Sequence, residues 1–351
     1  MTTGGKAQRG EATLADVART AGVSLATAAR VLRRDNYPVS NKLKARVEAA
    51  AQSLGYVPNM LARNLRGARG SSLGLIVGDM RDPYFGKIAA CITAEAYHAS
   101  LLALVANMHR NPSLEIAMCR QLWEHRVDGL ILAGGGFDQM SHLEELRQFV
   151  AKLQDAGVVV VSLSERNLPI PCFSADNEQI GRDIGRSLRE LGHERIAVAA
   201  GPAGGFVGDG RLRGLRQVLA QDGILPHVVH TEFSQEGGTQ AADAFLQAIP
   251  RPSAVVALSD SLAVNVMDRL RERGLRTPDD ISIVSVGDTD YCDISTPRLT
   301  SMDTSIEASC VAAIRHIRAV WAGETPPAPA PFDHRLVQRD SLGAAPTFSF
   351  P

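Results

Sequence analysis

The 351-residue sequence lacks an apolar run long enough to cross a membrane. The longest runs, such as residues 157–163, are far shorter than the roughly 20 residues that a membrane-spanning helix needs. The N-terminal residues are polar and lack the apolar stretch of a secretory signal peptide. We therefore expect a cytoplasmic protein with no membrane partner.

Cysteine pairs and enzyme motifs are also missing. The cysteines are odd in number, widely spaced and without a CxxC or Cys/His cluster, so we expect neither a disulfide framework nor a zinc site. The motifs GxxxxGK[ST], HExxH and GxSxG do not occur, and the glycine-rich GGFVGDG does not match GxGxxG. The sequence thus predicts no cofactor and no enzymatic activity.

Charge is unevenly distributed along the chain, although the net charge is only −1. Residues 1–70 contain 12 basic and 4 acidic side chains, whereas the remainder contains 25 basic and 34 acidic ones. A basic head on an acidic body is typical of a nucleic-acid-binding segment attached to a domain of another kind.

Residues 13–56 have the apolar periodicity of three short helices. Thr13, Ser24 and Ser40 are predicted to cap their N-termini, and Gly22 and Gly55 to end the first and third. Two short helices joined by a glycine-containing turn are typical of a helix-turn-helix, whose second helix enters the major groove of DNA. We place this DNA-binding domain at residues 12–57.

The second helix is predicted to carry the residues that face DNA. These are Ser24, Leu25, Ala26, Thr27 and Arg30. Arg30 could make two hydrogen bonds to a guanine or contact a phosphate alone, and Leu25 could touch a thymine methyl group or belong to the core. Other basic side chains are expected to contact phosphates: Arg33, Arg34, Lys42, Lys44 and Arg46.

The segments TLADVARTAGVSLATAARVL and YVPNMLARNLR follow each other in order and at a characteristic spacing. In both, the chain resembles the lactose-repressor (LacI/GalR) family of bacterial transcription regulators, and the resemblance extends over about residues 13–343. It implies a periplasmic-binding-protein-like core in which the chain crosses three times between two lobes. We place these crossings near Ser174, Thr300 and Ala328.

Residues 58–71 are predicted to form a hinge helix and linker. Pro58 suits a helix start, but the helical stretch that follows is too short to be stable alone in water. The family resemblance implies that it lies in the minor groove, with Leu65 wedged into the central base step. The predicted DNA contacts of this segment are Asn59, Arg63, Leu65 and Arg66. The alternative is a linker with an incidental amphipathic turn.

Residues 72–343 alternate short β-rich runs with amphipathic helical stretches. The predicted strands are Leu73–Gly78, Leu102–Asn107, Gly129–Ala133, Val158–Leu163, Arg195–Ala200, Val228–Glu232, Ala254–Leu258 and Ile281–Val286. Such alternation predicts βαβ units and parallel sheets. The expected fold is therefore an all-α helix-turn-helix head plus an α/β body of two doubly wound parallel-sheet lobes, which bind effectors and form the dimer.

Ligands of doubly wound sheets bind beyond the carboxyl ends of the strands, so the two lobes are expected to enclose a cleft. Aromatic, arginine and carboxylate side chains at these ends suit a polar small molecule such as a sugar or a related metabolite. The predicted effector-binding residues are Asp82, Tyr84, Phe85, Val207, Arg211, Phe233, Ser259, Asp260 and Asp288. The family resemblance supports Phe85, Arg211, Phe233 and either Asp260 or Ser259, while Asp288 could also point away. Each residue could instead cap a strand end or pack between the lobes.

These inferences predict a sequence-specific DNA-binding transcription regulator, a repressor that binds a pseudo-palindromic operator as a homodimer. A small effector in the cleft would set its operator affinity. The alternatives are a solute-binding protein and a sugar- or nucleoside-processing enzyme on the same two-lobed scaffold. The basic head counts against the first, and the lack of a nucleophile or metal cluster counts against the second.

Overall fold

The computed structural model describes residues 12–33, 39–56 and 70–346. The chain divides into two compact units, Met1–Ala68 and Arg69–Pro351. The boundary falls inside residues 58–71, the segment that the sequence assigns to the hinge. The smaller unit is called the head below, and the larger one the body.

The head consists of helices α1 (Leu14–Ala21), α2 (Leu25–Arg33) and α3 (Asn41–Leu54). Thr13 caps α1 through a reciprocal pair of hydrogen bonds with Asp16, and Ser24 Oγ accepts a hydrogen bond from the Thr27 N–H at 3.1 Å. Ser40 lies at the N-cap position of α3, but its side chain makes no capping hydrogen bond. Gly22 and Gly55 end α1 and α3 in the left-handed conformation that favours glycine.

A small apolar core joins the three helices of the head. Val17, Ala28 and Val47 are fully buried at its centre, one from each helix. Arg46, which is predicted to contact a phosphate, is an exposed residue of α3. Its guanidinium donates to the carbonyl oxygens of Ala21 and Gly22, which satisfies free acceptors at the end of α1 and ties that helix to α3.

Lobe one of the body contains a four-stranded parallel sheet in the order β2-β1-β3-β4. Its elements are β1 (Ser72–Val77), α4 (Pro83–His98), β2 (Leu102–Asn107), α5 (Pro112–Glu124), β3 (Gly129–Leu132), α6 (Met140–Asp155) and β4 (Val159–Ser162). Successive side chains of β1 enter different cores, because Leu75 and Val77 pack on one face of the sheet and Ile76 packs on the other. Both faces are therefore covered, as the predicted doubly wound fold requires.

Lobe two contains a six-stranded sheet in the order β10-β9-β8-β7-β5-β6, in which only β10 is antiparallel to its neighbour. Its elements are α7 (Asn177–Glu190), β5 (Ile196–Ala200), α8 (Phe206–Leu219), the 3₁₀ turn Ala220–Asp222, β6 (His227–His230), α9 (Gln235–Gln247), β7 (Ala254–Ala257), α10 (Asp260–Glu272), β8 (Ser282–Val286), α11 (Tyr291–Ile294), β9 (Thr300–Asp303) and, after the last crossing, β10 (Arg335–Val337). The sequence predicted the first four of these strands and missed β9, whose sequence TSMD is polar but buried.

The chain passes between the lobes three times. Residues 163–176 lead from β4 to α7, and residues 322–334 lead back to β10 from α12 (Ile306–Trp321), which packs in the core of lobe one. These crossings include Ser174 and Ala328, as predicted. The middle prediction was four residues early: Thr300 is fully buried as the first residue of β9, and the crossing follows at residues 304–305.

Helices α7 and α8 of lobe two approach each other closely through glycine. A Cβ atom on Gly181 of α7 would lie 1.9 Å from the carbonyl oxygen of Arg211 on α8. A Cβ atom on Gly214 of α8 would lie 1.8 Å from the carbonyl oxygen of Glu178. Backbone packs directly on backbone here, and this contact fixes the position of α8 and of the Arg211 side chain.

Candidate functional site

A cavity of about 290 Å³ lies between the two lobes. Its walls come from residues at the carboxyl ends of strands in both sheets, among them Gly78 and Ala133 of lobe one and Gly201 and Leu258 of lobe two. This is where open parallel sheets bind ligands, and the volume fits a small metabolite.

Eight of the nine predicted effector residues line this cavity. They are Asp82, Tyr84, Phe85, Val207, Arg211, Phe233, Ser259 and Asp260. Two of them also cap helices, because Asp82 Oδ1 accepts from the Tyr84 N–H at the start of α4 and Ser259 Oγ accepts from the Leu262 N–H at the start of α10. These two side chains are therefore fixed before any ligand binds.

Asp288 is the exception, and its predicted place among the cavity residues needs correction. Its carboxylate accepts a hydrogen bond from Arg339 Nη1 at 2.7 Å, and the side chain does not line the cavity. The backbone explains this orientation. Gly287 and Asp288 both have positive φ, and Gly287 lies so close to Asp260 that a Cβ atom would come within 2.8 Å of Asp260 Oδ2. The turn after β8 directs the next side chain outward.

Asp260 lines the cavity, but both of its carboxylate oxygens already have partners. Ser285 Oγ and Ser301 Oγ donate to Oδ1 at 2.5 and 2.6 Å, and the backbone N–H and hydroxyl of Thr289 donate to Oδ2, each at 2.8 Å. The carboxylate is thus a link between β8, β9 and the loop after β8. Its contribution is to hold the cavity wall and to add negative charge.

Arg211 is a buried cation at the cavity wall, with 7% of its surface exposed. Its Nε donates to Asn177 Oδ1 at 3.0 Å and its Nη1 to the Leu258 carbonyl oxygen at 2.9 Å. Both acceptors are neutral, and within residues 70–346 the structure shows no ion pair with a carboxylate for this guanidinium. Burial lowers the pKa of Arg211, although an arginine remains charged at neutral pH. A ligand oxygen would find a charged donor here.

Arg110 is a cavity residue that the sequence analysis missed. It follows β2, and its Nη2 donates to Asp82 Oδ2 at 2.6 Å. Its guanidinium also lies over two aromatic rings, 5.2 Å from the centroid of Phe85 and 4.2 Å from that of Phe233. Burial lowers the pKa of Arg110, opposed by the negative charge of Asp82. In the sequence, the only indication that Arg110 lies at the cavity is that this basic residue follows a predicted strand.

A short backbone bridge joins the lobes at the edge of the cavity. Phe137 of lobe one pairs with Gly205 of lobe two, the Asp138 N–H donates to the Gly204 carbonyl oxygen at 2.7 Å, and the Phe206 N–H donates to the Gly136 carbonyl oxygen at 3.1 Å. The lobes are therefore in contact across the cavity mouth.

The head presents an exposed face on α2. Leu25 is 54% exposed, so the alternative of a core position for Leu25 is wrong. Ser24, Ala26 and Arg30 are also exposed, while Thr27 is half-buried and its hydroxyl lies 2.8 Å from that of Ser24. Four of these five side chains, all predicted to face DNA, are thus exposed. Of the other predicted DNA contacts, Lys42 and Lys44 are exposed on α3, whereas Arg34, Asn59, Arg63, Leu65 and Arg66 lie outside the described residues.

Among the described residues, none of the helices combines the length and apolarity needed to cross a membrane. Within the same ranges, no group of three or more His, Cys, Asp or Glu side chains is arranged to hold a metal ion.

The chain is similar to known proteins along most of its length. Residues 13–59 match the family model of bacterial regulatory proteins, lacI family, and residues 186–342 match that of a periplasmic binding protein-like domain. The HTH-type transcriptional repressor PurR of Edwardsiella ictaluri is 30% identical over 295 residues, which cover 83% of this chain and 85% of the relative.

Solved structures of similar proteins align with nearly the whole chain. The lac repressor dimer bound to operator and the anti-inducer ONPF is 26% identical, with a TM-score of 0.81 over 95% of this chain and 100% of that one. The transcriptional regulator CelR, in complex with cellobiose, is 27% identical, with a TM-score of 0.66 over 94% of this chain and 99% of that one. From its helix-turn-helix, its two-lobed body and these relatives together, the chain belongs to the LacI family of bacterial transcription regulators.

Proposed function

We propose that this regulator represses transcription in the cytoplasm by binding a pseudo-palindromic operator as a homodimer, and that a small neutral metabolite in the inter-lobe cavity sets its operator affinity. The observation that supports the ligand site is the cavity itself, which is lined by eight of the nine predicted effector-binding residues. The exposed face of α2 and the basic composition of the first 70 residues support the proposal that the head binds operator DNA. This proposed function requires the protein to bind DNA and a ligand but not to catalyse a reaction.

The charges around the cavity favour a neutral ligand. Its walls contain the four acidic residues Asp82, Asp209, Glu232 and Asp260 but only the two arginines, Arg110 and Arg211. Arg110 is already paired with Asp82, so a phosphate group would meet an excess of negative charge.

Hydroxyl groups suit this cavity better. The carboxylates of Asp209 and Glu232 are available as acceptors, and Arg211 is a buried donor. The rings of Phe85, Phe137 and Phe233 offer apolar faces against which a sugar ring or a nucleobase can stack. Cellobiose, the ligand of the similar CelR structure, is a neutral compound of this class.

Isothermal titration calorimetry with the full chain tests the ligand class. The panel contains cellobiose, D-xylulose and adenosine, together with D-xylulose 5-phosphate and adenosine 5′-monophosphate. We expect a neutral member to bind and its phosphorylated counterpart to bind at least about 10-fold more weakly, because roughly 1.4 kcal/mol of repulsion and desolvation opposes the added charge. Tighter binding of a phosphorylated member, or no binding by any neutral member, would contradict the proposed class.

The edge of lobe one offers a surface for a second copy of the chain. Strand β2 is the outer strand of its sheet, and none of its residues is fully buried. Leu102 at its start is 60% exposed, and Tyr97 near the end of α4 is 80% exposed. Apolar side chains on an unpaired sheet edge are usually covered by a partner. A homodimer also supplies the two heads that a pseudo-palindromic operator requires.

Coupling between ligand and operator is proposed to act through the arrangement of the lobes. A ligand changes operator affinity only if it binds one lobe arrangement better than another. Such coupling typically amounts to about 1–3 kcal/mol, or roughly 5- to 150-fold in operator affinity, and operator must change ligand affinity by the same factor. The hinge predicted at residues 58–71, with Leu65 as its minor-groove wedge, is the proposed route.

Arg30→Ala tests the base-reading role of α2. If Arg30 binds a guanine, the variant should lose about 1–3 kcal/mol of discrimination between operator and random DNA, or roughly 5- to 150-fold. Lys44→Ala is the control, because loss of a phosphate contact should weaken binding to both DNAs equally. The measurement is fluorescence anisotropy with an operator obtained by in vitro selection, and the stoichiometric titration should give two chains per duplex. An unchanged ratio in Arg30→Ala would assign Arg30 to phosphate contact alone.

A further inference from the structure

Two phenylalanine rings face the cavity in matching positions on the two lobes. Phe85 of lobe one rests on Gly78, just after β1, where a Cβ atom would lie 2.6 Å from the ring. Phe233 of lobe two rests on Gly201, just after β5, where a Cβ atom would lie 1.9 Å from the ring. In each lobe a glycine at the end of a strand makes room for the ring, so both rings are held in place.

Arg110 connects these two rings. Its guanidinium carbon lies 5.2 Å from the Phe85 centroid and 4.2 Å from the Phe233 centroid, both within cation–π range. The ring of Phe233 belongs to the opposite lobe, so this contact spans the cleft. The salt bridge to Asp82, at 2.6 Å, anchors the guanidinium on its own lobe.

The backbone around Arg110 is held in an uncommon conformation. His109 and Arg110 both have positive φ, 50° and 55°, a conformation that few residues other than glycine adopt. The Arg110 N–H donates to the Gly78 carbonyl oxygen at 2.8 Å, which fixes the turn at the end of β1. The side chain is thus directed into the cavity by its own loop.

The hydrogen bonding of the guanidinium is incomplete. Within the described chain, Arg110 Nε is buried and has no hydrogen-bond partner. An unpaired buried donor is costly, because it has lost water without gaining an acceptor. The Arg110 guanidinium therefore stacks on two rings and pairs with Asp82, but one of its hydrogen-bond donors has no acceptor. This is expected of a side chain that a ligand can displace.

We propose that Arg110 is a latch of the effector site: it joins the Phe85 ring of lobe one to the Phe233 ring of lobe two, and a ligand that stacks on Phe233 must displace it. The guanidinium and a ligand ring compete for the same aromatic face. Arg110 therefore decides which ligands enter, because only a ligand with a flat apolar face replaces the stacking that is lost. The claim that a ligand displaces Arg110 rests on the proposed function. The claim that Arg110 joins the two lobes does not.

Hydrogen–deuterium exchange of the full chain, without ligand, tests the latch. The reporting peptides contain Asp138 and Phe206, whose N–H groups donate across the lobes. We expect Arg110→Gln to speed exchange of these peptides by about 3- to 30-fold, the range that corresponds to one cation–π contact. Peptides from β7 should exchange as in the wild type.

Two variants separate the latch from a general loosening of lobe one. Phe233→Leu keeps the Asp82–Arg110 salt bridge and should speed exchange as Arg110→Gln does, while the double variant should add little to either. Arg81→Gln is the matched control, because Arg81 pairs with Asp79 in the neighbouring turn but does not contact the rings. Wild-type exchange in Arg110→Gln or in Phe233→Leu would overturn the latch.

Calorimetry with the tightest neutral ligand of the panel tests the displacement. Arg110→Gln should bind this ligand about 3- to 30-fold more tightly, because the ligand no longer competes with the guanidinium. Weaker binding would show that Arg110 contacts the ligand directly and would overturn the displacement. If no neutral member of the panel binds the wild type, the proposed ligand class fails, and the exchange rates still decide whether the latch exists.

Discussion

Gly181→Ala is expected to destabilise the body by about 3 kcal/mol or more, since the new Cβ atom would lie 1.9 Å from a backbone oxygen of α8. A flexible side chain could move away, but the carbonyl of Arg211 belongs to a helix that is itself packed on the sheet. Helices α7 and α8 must therefore separate, and packing is lost along the whole contact between them. For a body of this size, we expect the Tm to fall by roughly 6–12 °C.

Gly86→Ala is the control for this substitution. Gly86 also lies within a helix, α4, and a Cβ atom there would meet nothing within 4 Å. Alanine is the better helix former, so Gly86→Ala should leave the stability unchanged or raise it by about 0.5–1 kcal/mol. Differential scanning calorimetry of both variants and the wild type gives the comparison. A Gly181→Ala protein as stable as the wild type would mean that the two helices separate at little cost.

The sequence was most informative where local pattern and global fold agree. Alternation of apolar strands and amphipathic helices predicted both lobes, because each element buries a stripe or a face whose period can be recognised. The helix-turn-helix was predicted for the same reason, and its caps at Thr13 and Ser24 are confirmed. The eight cavity residues followed from two sources: the rule that the carboxyl ends of parallel strands meet, and the family resemblance, which alone indicated Val207.

The sequence was least informative where long-range contacts decide the role of a side chain. Asp260 was predicted to bind the effector, but its carboxylate accepts hydrogen bonds from β8, β9 and the loop after β8. Asp288 was misplaced because a glycine-dependent turn directs it outward to Arg339. Arg46 was assigned to DNA by its charge alone, and its hydrogen bonds to the end of another helix were not predicted. None of these partners can be identified from sequence spacing.

Arg110 was missed for a conformational reason. It follows β2 in a loop where two consecutive residues adopt positive φ, and only that backbone directs the side chain into the cavity. Residues with ordinary φ at these positions would direct the chain differently. Positive φ is common for glycine and enriched for asparagine, aspartate and histidine but not for arginine, so the histidine of HR was only a weak indication of such a turn.

Arg211→Ala is expected to require much more effector for the same response while leaving operator binding intact. The guanidinium is the buried cation of the cavity wall, and its two acceptors are neutral. A hydrogen bond from a charged donor to a ligand oxygen contributes about 1.5–3 kcal/mol, so ligand affinity should fall by roughly 10- to 150-fold. Calorimetry measures the ligand affinity, and anisotropy with and without the ligand measures the response at the operator.

Two variants exclude a merely structural explanation. Arg216→Ala removes an exposed arginine from the same helix and should leave both measurements unchanged. Arg211→Lys keeps a charge but loses the planar group that reaches Asn177 and the Leu258 carbonyl together, and it should recover only part of the ligand affinity. A full response in Arg211→Ala at the effector concentration that suffices for the wild type would place the effector outside this cavity, although the family assignment would stand. Loss of operator binding in Arg211→Ala without ligand would mean that Arg211 supports the fold of the body and not the recognition of the ligand.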